Sequence, residues 1–96
     1  MRVYLSGSIT LDPFYKEHFE KAEKKVKVLG FDCYNPTSLH LGENAEWSAY
    51  MRLDIIQLCK CDIIVMLKGW EESKGARVEY YLAKELGLLI LLEEDL

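Results

Sequence analysis

Two acidic residues stand where apolar ones belong. Glu79 lies in the segment Ser73-Lys74-Gly75-Ala76-Arg77-Val78-Glu79-Tyr80-Tyr81-Leu82-Ala83, which follows the apolar run Ile63-Ile64-Val65-Met66-Leu67. At about 100° per residue, Ala76, Leu82, Ala83 and Leu86 fall within about 60° of Glu79 on a helix. Glu79 therefore sits in the middle of the apolar stripe. Asp54 repeats the pattern: it shares a helical face with Trp47, Met51 and Leu58. A charge facing a protein interior is costly unless it is paired, solvated or used. Two readings of Glu79 stay open. One is a helix-front carboxylate favoured by the macrodipole; the other is a nucleophile or base in a pocket. Two such acids, both turned toward a sheet, suggest one shared site. Paired carboxylates suit cleavage at an anomeric carbon, one attacking and the other assisting departure or binding hydroxyls.

The elements that position these acids alternate. Val3 to Ser6 reads as a strand, and Leu5-Ser6-Gly7-Ser8-Ile9-Thr10 leaves it through a small, glycine-containing loop. Backbone amides there could approach a phosphate or sugar, or the loop could be an ordinary strand-to-helix turn. Asp12-Pro13 reads as N-cap and first helical residue. The stripe Tyr15, Phe19, Ala22, Val26, Leu29 then runs to Gly30, a C′ residue. Phe31 to Tyr34 is a second strand, and a loop runs from Asn35 to about Asn44. A helix follows over Ala45 to Lys60, a strand over Asp62 to Leu67, a helix over Gly75 to Leu86, and a strand over Leu88 to Leu92. The last two strands are continuously apolar and are expected to be buried on both faces. The alternation predicts an α/β fold, a three-layer sandwich around a four-stranded parallel sheet. A flavodoxin-like order, 2-1-3-4, is the simplest topology. Helix starts after strands then lie at the carboxyl edge of the sheet, where open α/β sheets bind ligands.

The totals limit what such a site can serve. Ninety-six residues, half of them apolar, suffice for one domain with one core. The net charge of −4 and the absence of a long basic run argue against duplex nucleic acid. Cys59-Lys60-Cys61 lacks zinc-ligand spacing and Cys33 stands apart, so reduced, semi-buried thiols and no metal are expected. No G-x-G-x-x-G or P-loop occurs. The amino end is too short for a signal peptide and no stretch reaches membrane-spanning length, so a cytoplasmic protein off the membrane is expected. Ser73 has an ordinary role as helix N-cap. Trp47 and Trp70 could stack on a base or simply pack. His18 and His40 read as surface residues.

With these residues in hand, the chain resembles the nucleoside 2-deoxyribosyltransferase superfamily. Within it, the chain looks most similar to 2′-deoxynucleoside 5′-phosphate N-hydrolases and to small phage and bacterial relatives. The resemblance covers nearly the whole chain. Its anchors are Tyr4-Leu5-Ser6-Gly7-Ser8-Ile9, Asp54 eight residues before Asp62, and Ser73-x-Gly75-x-x-x-Glu79-x-x-x-Ala83. It implies that Glu79 attacks C1′ of a deoxyribose and that Tyr4 positions its carboxylate. Asp54 would lie near sugar and base. Gly7 and Ser8 would surround the ligand, Ser73 would hold its 5′ end, and Gly75 would also bind substrate. A serine at position 73 looks like the phosphate-binding hydrolases. The implied ligand is a small-molecule deoxynucleoside or deoxynucleotide, with no cofactor and with a homodimer whose neighbouring subunit helps close the site. Another N-ribosyl compound is a further substrate class. The reading from a different class is a non-catalytic nucleotide-binding or interaction module on the same fold.

Overall fold

The computed structural model describes residues 1–96. Four strands, β1 (Arg2–Ser6), β2 (Asp32–Tyr34), β3 (Ile63–Met66) and β4 (Leu89–Leu92), alternate with three helices, α1 (Tyr15–Val28), α2 (Trp47–Leu58) and α3 (Lys74–Leu86). The sheet order is β2-β1-β3-β4 and every pairing is parallel. This is the α/β sandwich and the 2-1-3-4 order that the alternation predicts. No helix is long and apolar enough to cross a membrane.

Strand periodicity divides the core. Val3, Leu5, Ile63 and Val65 point to one face and pack with Phe19, Ala22 and Val26 of α1. Tyr4, Ile64 and Met66 point to the other and pack with Leu58 of α2 and Ala76 and Ala83 of α3. Ser6, two residues beyond Tyr4, shares that second face and is fully buried. The face beneath α3 thus carries two hydroxyls among its hydrocarbons.

Three local expectations need correction. α1 begins at Tyr15, not Pro13. Asp12 closes a turn ahead of the helix, its Oδ1 accepting from the Phe14 amide at 2.8 Å. Its Oδ2 pairs with His18 Nδ1 at 2.5 Å, which gives His18 a partner. β4 is an edge strand paired only to β3, and Leu89 and Leu92 are exposed. Local apolarity could not distinguish an edge strand from a central one. The cysteines are unpaired, but Cys59 is exposed while Cys61 is buried. At the end of α3, Gly87 adopts φ 78° and its amide reaches the Ala83 and Lys84 carbonyls, a left-handed cap that a side chain would strain.

Candidate functional site

A cleft of about 350 Å³ opens at the carboxyl edge of the sheet, a volume suited to a small molecule. The loop after β1, the loop after β2, the length of α2 and the start of α3 form its wall. Gly7, Asp54, Ser73, Gly75 and Glu79 all line it, so five of the seven site residues expected from sequence converge. Tyr4 does not line the cleft; it stands behind Glu79 in the core. Ser8 is also outside the wall, and its Oγ is buried without a partner.

Glu79 is 5% exposed, and each carboxylate oxygen receives a hydroxyl. Tyr4 Oη donates to Oε2 at 2.5 Å and Ser6 Oγ donates to Oε1 at 2.7 Å. Both donors come from one face of β1, at positions i and i+2, because strand side chains alternate. Burial pushes the Glu79 pKa up to about 7; the Tyr4 and Ser6 hydrogen bonds oppose the rise, and the Asp54 charge adds to it. Desolvation, rather than repulsion between the neighbouring acids, is the larger cause. The Tyr4 hydroxyl is itself held protonated, first by burial and then by the Glu79 charge. It is the donor to the ionised carboxylate.

Tyr4→Phe removes that donor and is expected to move the Glu79 pKa upward. A pH titration of any Glu79-dependent activity measures it: the ionisation midpoint moves above the wild-type value, and an unmoved midpoint shows that Tyr4 does not tune the acid.

Asp54 is 6% exposed and its Oδ1 has no hydrogen-bond partner. An unpartnered buried acceptor on a cleft wall is a place for a ligand donor. Burial raises the Asp54 pKa to about 6, opposed by the Tyr34 hydroxyl. Tyr34 is the direct register partner of Tyr4, and the two rings stack at 5.6 Å between centroids. Adjacent strands therefore each set a tyrosine against one of the two carboxylates. Ser6 and Tyr34 were not singled out from sequence. The signal for Ser6 was the period-two spacing from Tyr4; Tyr34 needed the β1–β2 register.

The remaining positions divide between packing and access. Ser73 caps α3, its Oγ accepting from the Ala76 amide at 3.2 Å, so the ordinary reading of this residue holds while it also borders the cleft. A Cβ on Gly7 would come within 2.9 Å of Leu67 Cβ and 3.3 Å of Phe19 Cζ. Gly7 thus permits close core packing, whatever its amide also does. Gly7→Ala is expected to destabilise the fold by roughly 1–3 kcal/mol, read by chemical denaturation; a loss below a few tenths shows that Leu67 shifts freely. Trp47 lines the cleft, whereas Trp70 lies outside it and stacks on Tyr80 at 4.6 Å. No group of three or more His, Cys, Asp or Glu side chains is placed to hold a metal ion.

A family profile described as "Domain of unknown function (DUF4406)" matches residues 1–92. The chain belongs to the DUF4406 family. No curated protein matches it. In this DUF4406 chain the matched residues span every strand and helix, and with them the tyrosines, the serine and both cleft carboxylates.

Proposed function

We propose that this chain cleaves or transfers at the N-glycosidic bond of a 2′-deoxyribonucleoside or its 5′-monophosphate, through a covalent glycosyl-enzyme on Glu79. The observation that carries the reading is a buried carboxylate on a cleft wall, hydrogen-bonded at both oxygens, beside a second buried acid with a free acceptor. The ionised Glu79 carboxylate attacks C1′ and the C1′–N bond breaks, its electron pair leaving with the base. Water or a second base then attacks C1′ and releases Glu79. Asp54 binds sugar hydroxyls or assists the departing base. Tyr4 and Ser6 hold the carboxylate at one orientation, which matters because attack requires aligned approach. Incubation with a panel of 2′-deoxynucleosides and their monophosphates, followed by chromatography of free base, tests the proposal. Free base is expected. Binding without base release points instead to a non-catalytic nucleotide-binding module.

The assembly belongs to the same proposal. The cleft is open on one side, and a glycosyl intermediate needs shielding from water. Trp47 of α2 and Tyr81 of α3 are 44% and 62% exposed, and Leu53, Ile56 and Val78 add apolar surface on the same two helices. An isologous homodimer packed through α2 and α3, burying at least ~1,000 Å² in total, is expected. Sedimentation at micromolar concentration should give a species of twice the 11.2 kDa chain mass; a single monomeric species opposes both the dimer and the shielding it provides.

A further inference from the structure

The charges of the wall bear on which of the two ligand classes the cleft takes. None of the residues lining it is Lys or Arg, and its only basic side chain is the exposed imidazole of His40. Two buried acids face the same space. The two cations nearest Ser73 along the chain are not part of the lining, although Lys74 stands at its rim beside Trp47. Lys74 Nζ lies over the Trp47 ring, 4.5 Å from its centroid, and Arg77 donates to the Glu71 carbonyl at 2.8 Å. The Ser73 oxygen already accepts from the Ala76 amide, leaving one neutral donor hydrogen for a ligand.

We infer that the cleft takes an uncharged nucleoside and turns away the same nucleoside carrying a 5′-phosphate. The inference rests on the glycosidic reading and narrows it. A phosphate brings charge of the same sign as Asp54 and Glu79 into a space whose lining holds no Lys or Arg, and it loses water in doing so. A 5′-hydroxyl brings none and needs only a neutral hydrogen-bond partner, such as the donor hydrogen that Ser73 keeps. This departs from the expectation that a serine at position 73 marks a phosphate site. The serine keeps one neutral donor, but the wall around it carries acids and no Lys or Arg.

Calorimetric titration of the protein with the common 2′-deoxynucleosides and with their 5′-monophosphates tests the inference. Each nucleoside is expected to bind at least about tenfold more tightly than its monophosphate, or ~1.4 kcal/mol. Added salt should narrow the gap, because the discrimination is Coulombic. Thr10 is exposed on the wall, outside the hydrogen bonds that hold Glu79. Thr10→Lys is expected to raise monophosphate affinity several-fold relative to that of the nucleoside. A monophosphate bound as tightly as its nucleoside, or more tightly, overturns the inference and leaves the glycosidic reading standing. Failure of every nucleoside and monophosphate to bind overturns the glycosidic reading, and the inference with it.

Discussion

Glu79→Ala is expected to reduce base release by roughly 10⁴-fold, the scale on which loss of a covalent nucleophile is felt. The accompanying stability change should itself depend on pH. The substitution leaves the Tyr4 and Ser6 hydroxyls, both fully buried, without their acceptor. Each orphaned hydroxyl costs about 1–3 kcal/mol. Against this, the substitution removes a carboxylate that burial disfavours in its charged form. At pH 5 the native carboxyl is protonated, so only the loss is felt, and the variant should be less stable than wild type by a few kcal/mol. At pH 8 the relief of a buried charge offsets the orphaned hydroxyls and the two proteins should be similar. Chemical denaturation at both pH values reads the difference. A solvated helix-front carboxylate predicts otherwise: a few tenths of a kcal/mol at either pH, and no effect on chemistry.

Wild-type protein should gain activity and lose stability over the same pH range. Burial holds the Glu79 pKa at about 7 in the folded chain, against an ordinary value of 4.5. Between those values the native state holds a proton that the unfolded chain has released. Stability is therefore greatest below the unfolded value and is lost as pH rises through the folded one. The Glu79 contribution amounts to about 3 kcal/mol between pH 5 and pH 8. Asp54, whose pKa is raised to about 6, acts with the same sign. A nucleophile must be ionised, so base release should climb with a midpoint near the folded Glu79 value. Denaturation midpoints and initial rates, each taken from pH 5 to 8, should cross in opposite directions. Stability that rises over this interval would show that Glu79 is ionised and compensated in the native state.

Much of this arrangement could be read from the chain, and the limits of that reading are physical. Helical periodicity placed Glu79 and Asp54 on inward faces, and the strand-helix alternation put them at one sheet edge. Both line the cleft. The Tyr4–Glu79 contact, which the resemblance implies, is made possible by the adjacency of β1 and β3 in the 2-1-3-4 order. Ser6 stands at the end of the strand with the facing of Tyr4, but the partner that gives it a role, Glu79, is remote in sequence. Tyr34 depended on a three-residue strand whose register is a long-range property. Gly7 was read as room for a ligand; the atoms that require it, on Leu67 and Phe19, are remote in sequence. The openness of β4 is decided by its place in the sheet, and an apolar run of four residues carries no record of that.

The most direct test of Glu79 as nucleophile is to mix the protein with a 2′-deoxynucleoside, quench in acid during turnover, and locate any adduct by peptide mass spectrometry. A deoxyribosyl group on the peptide containing Glu79, absent in Glu79→Gln, is the predicted result. Base release by a protein whose Glu79 stays unmodified, or a deoxyribosyl group on any other residue, would contradict it.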